Sequence, residues 1–397
     1  ENPGEKSFSF VQPELTYANA YNGPLIDTSS QVSGSGVDID LYMENNNRNG
    51  VHAFIGFFGY TGDYPVGALN TYTGPCYMID ALQRYPGRII PFFTLGLWGD
   101  ETKPYVGEPL VTYYQQSHAS ATRVLGKGII RGIGEVEQYA FGVKPNSSKL
   151  KPLFDWAVSQ NLHIMFHPNA GEMGEVEALV KKYPNTKFIL HMFPEDFSKD
   201  RTALIEIMKE NSNLYFSVDA DHMMFDGDTG LLYKYQDLSY LNGAKSFISD
   251  YDSTHAKLVS TALGRYKPLI EAVPNQVMWG TELGTRYGHE PGAYDRIIQF
   301  AREFVGKLKP ENQEKFAYLN AWNTFGPAPH VTTQAIVHDT SAWPDCTFSQ
   351  DEACLSDCVE QFPAFEESWE DQAPPDFEAC WDICVSQKQC VIPLESN

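Results

Sequence analysis

Eight short apolar runs recur along the chain, most of them followed by a stretch with helical periodicity. They are Pro24–Gln31, Val51–Phe58, Ile89–Gly96, Ile130–Val136, Leu162–Pro168, Lys187–Met192, Leu214–Asp219 and Val277–Leu283. Near-continuous apolar strands alternating with helices indicate a parallel sheet covered on its outer face. Eight such units predict closure into a (β/α)8 TIM barrel rather than an open doubly wound sheet. Between the runs, Leu150–Gln160 places Leu153, Phe154, Ala157 and Val158 on one helical face, and Met173–Tyr183 does the same with Val176, Leu179 and Val180. The stretch Met223–Asn275 is too long for a plain connection, and in a barrel such an insertion shapes the mouth. A helix over Asn312–Leu319 and a turn at Asn320-Ala321 are expected to close the domain.

The pattern divides the chain into an N-terminal extension (1–23), the barrel (24–326), a Pro/His/Thr-rich linker (327–345) and a tail (346–397). The tail reads C-x7-C-x3-C-x21-C-x3-C-x5-C. A C-x3-C puts both sulfurs on one helical face, because residues four apart are neighbours. Two such helices, around Asp351–Phe362 and Phe377–Gln387, predict an antiparallel helical hairpin stapled by disulfides. The expected links are Cys354 to Cys384 and Cys358 to Cys380, with Cys346 and Cys390 joined at the open end. Six clustered cysteines belong to an oxidising compartment, so the chain is expected to be secreted. The start at Glu1-Asn2-Pro3 fits a mature form after signal-peptide removal. The sequon Asn146-Ser147-Ser148 makes Asn146 a candidate glycosylation site. Cys76 stands alone and is expected to be a buried thiol.

Charge narrows the partners. With 51 Asp+Glu against 29 Lys+Arg the formal net charge is −22, which argues against binding nucleic acid or an anionic membrane surface. No run approaches the ~18 apolar residues needed to cross a bilayer. The tail alone carries 12 acidic residues and one basic, a net of −11, and is a candidate contact for a basic partner.

In a parallel barrel, chemistry sits at the C-terminal strand ends. Those ends carry Ser29 and Gln31 on the first strand, Glu135 on the fourth, His167 on the fifth and His191 on the sixth. The seventh ends at Asp219 with Asp221 and His222 nearby, and the eighth at Glu282. Ser29 and Gln31, two apart, are expected to point inward together. His163, on the face of His167 but four residues lower, and His52, at the start of the second strand, are expected to be structural. Tyr60, Trp98 and Tyr139 follow the second, third and fourth strands as candidate pocket linings.

The segments GIGEVEQY, LHIMFHPNAGE, YPNTKFILHMFPED, NSNLYFSVDAD, QVMWGTELG and AYLNAWNTFG resemble the successive strand signatures of the amidohydrolase superfamily. Within it, the branch of small-ring lactonases and aminocarboxymuconate-semialdehyde-type decarboxylases is the nearest in pattern. The resemblance runs from about Pro24 to Gly326. It implies a divalent metal, commonly zinc, and places His167 and His191 as ligands, Glu135 as the strand-4 acid and Glu282 where the strand-8 acid stands; the two carboxylates and two imidazoles of that set suit zinc or manganese. The strand-1 pattern I-D-x-H-x-H reads here Ile26-Asp27-Thr28-Ser29-Ser30-Gln31, so both histidines are replaced. A hydroxyl and an amide are poor zinc ligands compared with imidazole.

Three readings follow. A metal remains on Glu135, His167, His191 and Glu282 and activates water. Alternatively the site is metal-free, with Glu282 or Glu135 as general base, a histidine such as His191 as acid, and Ser29 and Gln31 donating to substrate. Or catalysis is lost and the mouth only binds a ligand or partner. His222, Arg286 and His289 are further candidate substrate contacts. The expected activity is hydrolysis of a C–O or C–N bond in a small lactone, ester or amide. Decarboxylation of a small carboxylic acid is the enzymatic alternative, a binding or scaffold barrel the non-enzymatic one. A homo-oligomer is compatible with all of them.

Overall fold

The computed structural model describes residue 14 and residues 20–30, 39–59, 75–94, 111–226 (apart from eight scattered positions between 113 and 137) and 229–330. Gln31, Tyr60, Trp98, the side chain of Cys76 and the six-cysteine tail lie outside the described residues.

Eight parallel strands run in sequential order: β1 Leu25–Ser30, β2 Val51–Gly59, β3 Ile89–Thr94, β4 Gly132–Val136, β5 His163–Phe166, β6 Phe188–Leu190, β7 Leu214–Asp219 and β8 Val277–Gly280. Six of the eight strands are shorter than their apolar runs, and β5, β6 and β8 stop just before the residue that carries their functional group. β1 meets β8 side by side, so the sheet forms a nearly closed barrel. At that seam Thr28 Oγ1 donates to Trp279 O at 2.9 Å, and the Thr281 and Glu282 amides donate to Ser29 O at 3.2 and 2.7 Å. Asp27 braces the same seam, accepting from the Ser29 amide (3.1 Å), the Thr281 amide (2.8 Å) and hydroxyl (2.6 Å) and Tyr42 Oη (3.1 Å). A register shift in β1 between Asp27 and Ser30 interrupts its alternation there.

Helices α1 Ile39–Asn49, α2 Pro75–Arg84, α3 Lys151–Ser159, α4 Met173–Lys182, α5 Pro194–Glu210, α6 Ala220–Met223, α7 Tyr240–Ala272 and α8 Pro291–Gly306 follow the strands. Proline opens the first turn of α3, α5 and α8, where its missing N–H would have no partner and its fixed φ suits the helix. Val176, Leu179 and Val180 are buried, as are Leu153, Phe154 and Ala157. The insertion after β7 consists of α6, a short hairpin of Phe225–Asp226 and Thr229–Gly230, a run of turns and the 33-residue α7.

Two apolar layers result. One fills the space between strands and helices. The other lies inside the barrel and joins Ile26, Ile55, Ile90, Met165, Ile189 and Met278 to Tyr318, Ala321 and Phe325 of the closing segment. That segment differs from the expected helix and turn. It runs as α9 Pro310–Glu314, a π-helical turn Lys315–Leu319 and α10 Asn320–Phe325, ending at Gly326 with φ 70°. There is no turn at Asn320 because its side-chain amide donates to Pro274 O and Val277 O (2.9 and 2.7 Å), pinning the helix beneath β8. His163 packs on Phe325 and His52 on Tyr318 at this floor. Burial pushes both imidazoles down, to about 3 and about 4.

Candidate active site

Alternation along each strand builds the site. On β5 and just past it the inward series is His163, Met165, His167; on β6, Ile189 then His191; on β7, Tyr215, Ser217, Asp219; on β8, Met278, Gly280, Glu282. Each series ends on a polar group at the C-terminal end, reached through apolar Met165 on β5, Ile189 on β6 and Met278 on β8 and through Ser217 on β7, as period-2 geometry requires. Glu135, His167, His191 and Glu282 stand together at the strand ends, and Asp219 and His222 join them.

His191 is the hub. Its Nδ1 pairs closely with Glu135 Oε1 and lies 3.9 Å from Glu282 Oε2. Its Nε2 lies 2.9 Å from Asp219 Oδ2 and 3.2 Å from His222 Nδ1. The His167 and His222 rings flank it, with centroids 4.8 and 4.7 Å away. Ligand atoms of Glu135, His167 and His191 all lie within 4.8 Å of one another, and so do those of His191, Asp219 and His222. These are two candidate metal-binding groups that share one imidazole. Glu282 belongs to neither; its Oε2 takes the hydroxyl of Ser29.

Around this centre, Asp219 Oδ1 accepts from Ser217 Oγ (2.8 Å), which touches Thr28 Oγ1 at 2.9 Å. Asp221 Oδ2 accepts from Tyr233 Oη at 2.7 Å, and its Oδ1 takes the His222 amide at 2.5 Å. Gly280 is required here: a Cβ on it would stand 2.5 Å from Asp219 Oδ1 and 2.9 Å from Ser29 Cβ. Phe193, just before α5, packs on His167 (centroids 4.4 Å) and His222 (5.6 Å) yet remains 39% exposed, an apolar wall beside the polar cluster. Tyr139 closes against the His167 ring at 4.9 Å.

Burial alone pushes the His191 imidazolium pKa down, but Asp219, Glu135 and Glu282 together outweigh it and hold it well above the ordinary value. His222 and His167 move well below it, through burial first and the charge of His191 second. Burial, then the neighbouring Glu135, pushes the Glu282 carboxyl up; burial, then Asp219, does the same to Asp221.

One expected substrate contact falls elsewhere. His289 is fully buried between Tyr42 and Tyr294, its Nε2 3.3 Å from Leu283 O. The tight turn Arg286–His289 tucks it behind β8 into the helical layer rather than over the mouth. Arg286 is exposed, its guanidinium 5.9 Å from the centre of the Tyr240 ring. His222, by contrast, is in the cluster. The sequence shows Asp219 as a strand end but not as a member of the set, and no motif singles out Tyr233 or Phe193. The available signal for Asp219 was the acid–x–acid–His spacing of Asp219, Asp221 and His222 opposite a glycine strand end.

No protein-family model matches the chain. No curated protein matches it. Similar solved structures include a probable 2-pyrone-4,6-dicarboxylic acid hydrolase from Acinetobacter baumannii, with 13% identity over 77% of this chain and 100% of that one at a TM-score of 0.46. An amidohydrolase from Burkholderia multivorans with bound zinc has 11% identity over 77% and 100% at 0.43. A 5-carboxyvanillate decarboxylase from Novosphingobium aromaticivorans in complex with manganese has 11% identity over 80% and 99% at 0.43. With scores and identities this low, chemistry is read from the side chains alone.

Proposed function

We propose that this barrel is a divalent-metal-dependent hydrolase that cleaves a C–O or C–N bond of a small organic molecule at its C-terminal mouth. The observation that carries this reading is the convergence on His191 of carboxylates and imidazoles from the ends of β4, β5, β6, β7 and β8. The donor set fits an ion of the zinc or manganese kind: it mixes nitrogen and oxygen, is deeply buried, and leaves Asp219 Oδ2 and His167 Nδ1 without a hydrogen bond. His191 would hold the ion together with Glu135 and His167 on one side or Asp219 and His222 on the other. A bound ion supplies Lewis-acid polarisation of a carbonyl and acidifies water.

The chain's own residues supply the rest. Glu282 is the least buried of the ring's acids, 12% exposed against 7% for Glu135 and 0% for Asp219, so it is the one placed to move a proton between water and leaving group. Ser29 holds it by a hydrogen bond from its hydroxyl. Phe193 and Tyr139 give the organic part of the substrate an apolar wall and exclude water from the imidazoles.

Elemental analysis of purified protein and a panel of small lactones, esters and amides test this. Metal-replete protein is expected to hydrolyse at least one class, and Glu282→Gln to lower kcat by ~10²–10⁴ with metal content unchanged. Release of carbon dioxide from small carboxylic acids, with no hydrolysis, would replace this reading by decarboxylation. A metal-free hydrolase is favoured by one observation, the carboxylates on opposite nitrogens of His191, which suit an imidazolium serving as acid. Full activity in chelator with no bound metal would select it.

A further inference from the structure

The two candidate groups share His191, and a neutral imidazole has one lone pair to give. An ion on the Nδ1 side and one on the Nε2 side are therefore alternatives. On the Nδ1 side the ring already meets Glu135 Oε1 in a close hydrogen bond. A carboxylate accepting the N–H of one ring nitrogen fixes the tautomer and directs the lone pair of the other nitrogen outward.

That other nitrogen, Nε2, faces Asp219 Oδ2 and His222 Nδ1. The three atoms form a triangle with edges of 2.9, 3.2 and 3.9 Å. A tetrahedral ion with bonds of about 2.0–2.1 Å separates its ligand atoms by roughly 3.3 Å, so these edges bracket the face it needs. Asp219 Oδ2 is fully buried and has no hydrogen bond in the structure, with His191 Nε2 2.9 Å away as its charge partner. A buried carboxylate oxygen with no donor is costly unless a cation completes it. Its partner oxygen is held by Ser217, which keeps the orphan aimed inward. His222 has its own support: Nε2 faces Asp221 Oδ2 at 3.8 Å, and Tyr233 of the insertion fixes that oxygen.

We propose that the divalent ion binds on the Nε2 side, with His191, Asp219 and His222 as ligands and Glu135, Asp221 and Tyr233 as their supports. Asp219 at the end of β7 and His222 just after it thus supply two ligands, where Ser29 of β1 offers only a hydroxyl that is given to Glu282. This rests on the metal-dependent reading above, and it adds that His167 is not a ligand.

The test is titration of chelator-stripped, full-length protein with Zn²⁺ by calorimetry and with Co²⁺ by its visible absorption. One equivalent is expected to bind. Asp219→Asn and His222→Ala are expected to weaken it at least ~100-fold, and Glu135→Gln ~10–100-fold, as for lost outer carboxylates. Tyr233→Phe should cost about tenfold, and His167→Ala less than about threefold. Asp219→Asn is isosteric and carries the test if His222→Ala does not fold. Loss of binding in His167→Ala with retention in Asp219→Asn would overturn this assignment and leave the hydrolase reading standing. No binding by the unaltered protein would overturn both. Stoichiometric binding in the predicted pattern without hydrolysis of any substrate would sustain the site and remove the activity.

Discussion

Glu282 sits at φ 50°, in the left-handed region that side chains with a Cβ avoid. Its amide is tied to Ser29 O and its carboxylate to the Ser29 hydroxyl, so the backbone is held where its side chain reaches the mouth. Strain kept at a position of this kind is released by glycine. Glu282→Gly is therefore expected to stabilise the fold by about 1 kcal/mol in urea unfolding while abolishing hydrolysis. A lower unfolding midpoint would show that the side chain is structural. At this scale Glu135, His167, His191 and Glu282 were legible because strand ends are legible: an apolar alternation that finishes on an ionisable group is visible in one dimension. Which ring nitrogen meets which acid was not, since that depends on register between strands far apart in sequence. His289 shows the limit from the other direction. It follows β8 as closely as an active-site residue would, and only the turn at Arg286–His289 decides that it faces the shell.

Among the elements, β1 departs most from its simple description. Two-residue alternation predicts the inward placement of Ser29, but the register shift after Asp27 arose from contacts that no local pattern records. Asp27 is buried and braces the β1–β8 seam, and burial raises its carboxyl from 3.8 to about 7 against the pull of its four donors, Thr281 first. The folded state thus keeps a proton that the unfolded chain gives up between those values. The contribution of this group is complete below pH 3.8 and is lost as pH rises to about 7. Asp27→Asn is expected to remove that part of the slope, so the stability gap between variant and parent should narrow from pH 4 to pH 7. An unchanged gap across that range would mean that Asp27 is already ionised in the native state. The long insertion was recognisable by length alone, but its link to the centre, Tyr233 on Asp221, was invisible because tyrosines in turns are common and carry no spacing signal.

For the molecule as a whole, the parallel barrel was the most legible feature, since eight apolar runs separated by helical stretches leave few other closures. The tail is a sequence-level proposal: peptide mapping without reductant is expected to link Cys354 to Cys384, Cys358 to Cys380 and Cys346 to Cys390. A cross-link from Cys76 to any of them would exclude the hairpin. Pro329 O takes the Gly87 amide, Pro327 O takes Arg131, Ala328 is buried among the inner apolar residues, and His330 crowds Gly87. With α10 above them, these contacts stopper one pole of the barrel. Among the described residues that pole is filled, so small molecules are expected to reach the His191 cluster from the strand C-termini, and a bulky substitution at Ala328 should disturb packing without touching the site.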